Sequence, residues 1–99
     1  MKSAKEMFEL PKVEYLQFCY KDEYKTLQQS FEISKKEFIE SKGKILNYMN
    51  TLINHNLKYL YEIEMFDKYR IPLRTIYLNK DGTIRKTMVY DKEQGWLDE

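Results

Sequence analysis

The chain of 99 residues holds one histidine, His55, one cysteine, Cys19, and 16 carboxylates. These are the side chains from which acid–base, nucleophilic or metal chemistry would have to be built. A nucleophilic thiol needs a base beside it, and a zinc site needs three or four clustered ligands. His55 lies between Asn54 and Asn56 with no partner of that kind in the sequence around it. Its spacing from Tyr59 gives a helix-face contact rather than a mechanism. Cys19 sits beside an apolar stripe and is expected to be a buried, inert thiol. Glu62 and Glu64 are two apart, so on a helix they would face different ways, and Asp22–Glu23 and Asp98–Glu99 read as solvated pairs. General acid–base catalysis needs a carboxylate with a shifted pKa in a cleft, and nothing in the sequence marks one. Glycines at 43, 82 and 95 are too scattered for a phosphate-cradling loop. No catalytic, metal-ligating or cofactor-binding set is therefore expected, and the role is expected to be non-enzymatic.

Two groups of side chains point instead to binding. Tyr59, Tyr61, Phe66 and Tyr69 crowd one stretch, and Trp96 stands alone in the last residues. Aromatic side chains with a polar tip are enriched at protein interfaces, so these five form the expected protein-binding set, against ordinary boundary packing as the alternative. Arg70, Arg74, Lys80, Arg85 and Lys86 gather around a predicted hairpin, interleaved with Tyr69 and Tyr77. A basic, aromatic hairpin can contact nucleic acid, while a solvated face with a Tyr77–Arg85 cross-strand pair is the simpler account.

The elements that must position these residues follow from spacing. Ser3 with Glu6 has capping-box spacing and starts a short helix from Ala4 to about Glu9, ended before Pro11. Val13, Leu16, Tyr20, Tyr24, Leu27 and Phe31 recur every three or four residues, which predicts an amphipathic helix over about residues 12–31. The aromatic, β-friendly run from Val13 to Tyr20 offers a competing strand. Ser34 with Glu37 forms a second capping box, and a stripe through Phe38, Ile45, Met49, Leu52, Leu60 and Ile63 extends a second helix over about residues 34–70, up to Pro72. That helix would be roughly 35 residues and about 50 Å long, so a kink is expected near Asn54 to Asn56. Asn79-Lys80-Asp81-Gly82 then joins two β-rich runs as a type I turn closed by a glycine bulge, giving a β-hairpin over about residues 74–90. In that register Leu78 faces Ile84 and Ile76 faces Lys86. Residues 91–99 form an acidic tail hinged at Gly95. The expected fold is α+β: two long amphipathic helices packed as a helical hairpin, then a C-terminal β-hairpin, in one domain over residues 1–99.

Composition bounds the function. Lys plus Arg number 17 against 16 acids, a net charge of +1, which argues against a dedicated nucleic-acid coat. A lone cysteine suits a reducing cytoplasm, and no leader or membrane-spanning run reads out of the sequence. Arginine occurs only at 70, 74 and 85, and Tyr, Asn and Ile are frequent, a bias of AT-rich coding DNA. The expected function is a protein-binding or assembly module, self-associating or bound to another protein. A small accessory protein of a phage or mobile element fits, as a virion component or an inhibitor of a host protein. The alternative is a nucleic-acid-binding regulator that uses the basic hairpin.

Overall fold

Leu16, Phe18 and Tyr20 alternate with Gln17, Cys19 and Lys21, and this period of two governs the first long segment rather than the three-and-four spacing. The computed structural model describes residues 4–22, 28–47 and 59–99. Its elements are α1 (Ala4–Glu9), β1 (Tyr15–Lys21), β2 (Gln28–Ser34), α2 (Lys35–Glu40), β3 (Tyr59–Phe66), β4 (Pro72–Leu78), β5 (Ile84–Asp91) and β6 (Gly95–Asp98). Residues 44–47 are also helical. The strands form one sheet in the order β2-β1-β3-β4-β5-β6, with every neighbouring pair antiparallel.

The expected pair of long helices is overturned. Where a helix over about residues 12–31 was predicted, β1 pairs with β2, Leu16 opposite Ile33 and Phe18 opposite Phe31. The expected second helix starts where predicted but stops at Glu40. Its far end, from Tyr59 to Phe66, is strand β3, paired with β1 and β4. The physical reason is visible in β3. Ile63 and Met65 are buried and alternate with Glu62 and Glu64, a pattern that only a strand places on two separate faces. Leu16 and Tyr20 satisfy a helical spacing and a strand spacing equally, and long-range pairing decided between them. The kink expected near Asn54 to Asn56, and His55 with it, lie outside the described residues.

Several local expectations hold. α1 runs from Ala4 to Glu9 and buries Ala4, Met7 and Phe8. At α2 the Ser34 hydroxyl accepts from the Glu37 N–H at 3.0 Å, while the Glu37 carboxylate accepts from the Ser34 N–H at 3.3 Å, the reciprocal box predicted from sequence. In the β4–β5 turn the Gly82 N–H donates to the Asn79 carbonyl at 3.0 Å and the Asn79 N–H to the Thr83 carbonyl at 2.8 Å. Gly82 takes φ +90°, the left-handed region open to glycine. Leu78 faces Ile84 as expected, but Ile76 faces Thr87, not Lys86. Tyr77 takes Lys86, so Arg85 is an extra residue in β5 that shifts the register by one. Met88, opposite Thr75, therefore lies on the side of Tyr77 and Lys86. The acidic tail expected to hinge at Gly95 folds back as a strand. Asp91 accepts from the Glu93 and Gln94 N–H groups at 2.8 and 3.0 Å, Gly95 takes φ +77°, and β6 returns along β5.

The core lies on one side of the sheet. Met7 and Phe8 of α1 pack with Val13, Leu16, Ile33, Ile63, Met65 and Ile76, several of them fully buried. Phe38 of α2 adds its ring to Phe8, with centroids 5.2 Å apart. Each such side chain contributes about 1.5–3 kcal/mol on burial. Among the described residues no helix is long and apolar enough to cross a membrane.

Candidate binding surfaces

Because strand side chains alternate, the face opposite the core is set residue by residue by the same registers. It carries Gln17 and Cys19 of β1, Glu62 and Glu64 of β3, Thr75 and Tyr77 of β4, and Lys86 and Met88 of β5. Among the described residues the helices pack on the other side, which leaves an antiparallel sheet with one polar face.

Across the middle of this face runs a hydrogen-bonded ladder. Glu62 accepts from the Cys19 thiol and from the Tyr77 hydroxyl. Burial, reinforced by the charge of Glu62, pushes the Cys19 thiol up to about 12, so it is not a thiolate at neutral pH. Glu64 is also raised, by burial first and by Glu62 second, with the Thr75 hydroxyl 3.4 Å away opposing the shift. Two carboxylates side by side with one raised pKa is an arrangement that suits proton transfer. Among the described residues no group of His, Cys, Asp or Glu could hold a metal ion.

At the β4–β5 turn end, cations and tyrosine rings meet. The Lys21 ammonium lies 4.5 Å from the Tyr61 ring centre and 5.9 Å from that of Tyr59. Lys80 lies 6.0 Å from Tyr59, and Arg85 and Lys86 lie 5.6 and 5.1 Å from Tyr77. Each contact contributes about 0.5–1 kcal/mol at such exposed sites. A cavity of about 200 Å³ lies among Lys21, Tyr59, Tyr61, Asn79, Lys80 and Arg85. β1 supplies Lys21, β3 the two tyrosines, and the hairpin the remainder.

The predicted sets are split. Of the protein-binding set, Tyr59 and Tyr61 enter this cation–tyrosine cluster, Phe66 lies at the other end of β3, and Tyr69 stands exposed in the β3–β4 turn. Trp96 is far along the sheet on β6, edge-on to Tyr90 at 5.4 Å. Of the nucleic-acid set, Lys80, Arg85 and Lys86 gather as expected. Arg70 is instead paired with Glu32 over the Tyr15 ring, and Arg74 with Glu99 at 2.8 Å. Lys21 is the cluster member that sequence reasoning missed; its alternation with Tyr20 in β1 was the available signal.

The sheet has two edges. β2 presents Gln28, Gln29 and Ser30, all polar. β6 presents Trp96 and Leu97, 37% and 38% exposed, on opposite faces of the strand. The Glu99 N–H donates to the Thr87 carbonyl at 3.0 Å. By alternation the backbone groups of Leu97 face β5 and those of Trp96 and Asp98 face outward.

A cavity of about 460 Å³ is lined by Lys12, Glu14, Asp67, Lys68, Tyr69 and Lys92, among others. Its charges of both signs offset one another, and Asp67 already accepts the Tyr69 and Ile71 N–H groups at 2.9 Å. No protein-family model matches the sequence, and comparison with curated proteins and with solved structures finds no match.

Proposed function

We propose that this chain is a non-enzymatic protein-binding module that works by strand addition at β6, with a second copy of itself as the first partner. One observation carries this reading: among the described residues the outermost strand ends the sheet with an unpaired edge, and it exposes two large apolar side chains, Trp96 and Leu97. An unpaired edge is a template for another strand, and Trp is the residue most often found at the centre of binding energy. The β2 edge lacks such apolar side chains. Two-fold pairing centred on Leu97 would set Asp98 against Trp96 and Glu99 against Gly95, so no two acids stand directly opposite. An assembly role in a reducing cytoplasm, as for a small phage or mobile-element protein, fits this edge and the free thiol of Cys19.

Light scattering at micromolar concentration tests the proposal. The parent should give a mass above the 12.2 kDa of one chain. Asp98→Pro removes an outward N–H without touching the β5 ladder or an apolar side chain, and it should return the monomer, as should Leu97→Lys. A parent that stays monomeric at every concentration overturns self-pairing. A dimer that both variants leave intact overturns the β6 edge as its site.

A further inference from the structure

The cation–tyrosine cluster is independent of the β6 edge and has a chemistry of its own. Four cations, Lys21, Lys80, Arg85 and Lys86, stand within 6.0 Å of the rings of Tyr59, Tyr61 and Tyr77. The cations come from β1, β5 and the β4–β5 turn, the rings from β3 and β4, and they meet at the turn end of the face that no described helix covers. Flat rings interleaved with cations on an open sheet suit an unpaired nucleic-acid strand, whose bases stack on aromatic rings while its phosphates meet the cations. A duplex keeps its bases inside the helix and would use only the charges. An acidic peptide would use the charges and leave the rings without stacked partners.

The acids nearby narrow the ligand further. Asp81 is held in the turn by the Thr83 N–H and hydroxyl, at 2.9 and 2.6 Å. Glu62 accepts from Cys19 and Tyr77 and lies beside the rings. Asn79 lines the cavity, with its amide nitrogen donating to the Thr83 hydroxyl at 3.0 Å, and its side chain carries a carbonyl acceptor as well. Acceptors set among cations favour a ligand that brings hydroxyl donors together with phosphates. Ribose supplies a 2′-hydroxyl at every nucleotide, and deoxyribose does not.

We infer that the turn end of the open sheet face, formed by Lys21, Tyr59, Tyr61, Tyr77, Lys80, Arg85 and Lys86, binds single-stranded RNA without strong sequence preference. The net charge of +1 makes this a weak, salt-sensitive site, and pairing of Arg70 and Arg74 with carboxylates elsewhere confines it to the cluster.

Fluorescence anisotropy of the full chain with a labelled mixed-sequence single-stranded RNA, titrated at several salt concentrations, is the test. Neutralising four phosphates predicts a slope of log K against log salt of about −3. The double variant Lys80→Gln/Lys86→Gln, two exposed positions, should halve that slope. Tyr77→Leu and Tyr59→Leu should each weaken binding about tenfold, at unchanged slope, with thermal melts showing that the fold is retained. Should either tyrosine variant unfold, the lysine pair alone decides. Absence of binding at low salt overturns the inference. Equal affinity for DNA of the same sequence overturns the ribose assignment, and equal affinity for a polyglutamate peptide overturns nucleic acid as the ligand.

Discussion

Cys19 on β1 stands directly across from Glu62 on β3 and donates its S–H to that carboxylate. The thiol is thereby raised from its ordinary 9.0 to about 12, by burial first and by the Glu62 charge second. A group with a raised folded pKa contributes stability that is fully present below the unfolded pKa and lost as pH climbs toward the folded one. Stability should therefore be level from neutral pH to about 9 and fall above it. Tyr20, raised from 10.0 to about 12 by burial, adds a second loss that starts later. In urea midpoints between pH 9.0 and 10.0 the thiol contributes most, with smaller losses from Tyr20, Tyr61 and Tyr77, whose hydroxyls are also raised, by burial first. Cys19→Ala should flatten the slope in that window, and a variant as steep as the parent would remove the thiol as its cause.

Gly82 takes φ +90°, and a Cβ added there would meet nothing within 4 Å. The cost of Gly82→Ala is thus backbone strain alone, about 1 kcal/mol or slightly more. For a domain of this size that lowers the melting midpoint by about 4–8 °C per kcal/mol. An unchanged midpoint would disprove the glycine bulge at this turn.

Leu16 is fully buried between β2 and β3, opposite Ile33 and Met65, whereas Ile39 of α2 is 63% exposed. Leu16→Ala should cost about 2–5 kcal/mol, as for other leucines that leave a cavity. Ile39→Ala should stay within about 0.5 kcal/mol. Chemical denaturation of the two variants checks both; equal losses would mean that α2 buries a face the structure shows open.

Removing the α2 cap should be measurable but small. Ser34→Ala leaves the Glu37 N–H without its acceptor and should cost about 1 kcal/mol in the same denaturation experiment. Ser34→Asp should recover most of it, since a carboxylate accepts the same bond and favours a helix N-terminus. If aspartate were no better than alanine, the stability change would have to come from the Ser34–Tyr15 strand pair instead.

What the sequence by itself determined is the set of features whose partners lie within about four residues. The Ser34–Glu37 box, the helix from Ala4 and the Asn79–Gly82 turn each close through bonds between near neighbours, so composition at fixed offsets was enough. Tertiary structure decided the rest. Leu16 could serve a helical stripe or a strand face, and its packing against Met65, a residue far along the chain, selected the strand. Tyr59 and Tyr61, like Glu62 and Glu64, are two apart, a spacing that scatters side chains around a helix but aligns them on one side of a strand or its bulge. The same choice assembled the cation–tyrosine surface. Lys21, Tyr61, Tyr77 and Lys86 belong to four strands, and no periodicity within one segment records that neighbouring strands set their side chains about 5 Å apart. The one-residue shift at Arg85 lay beyond the sequence for a related reason: a bulge is a mismatch between two strands, and it exists only once both are paired.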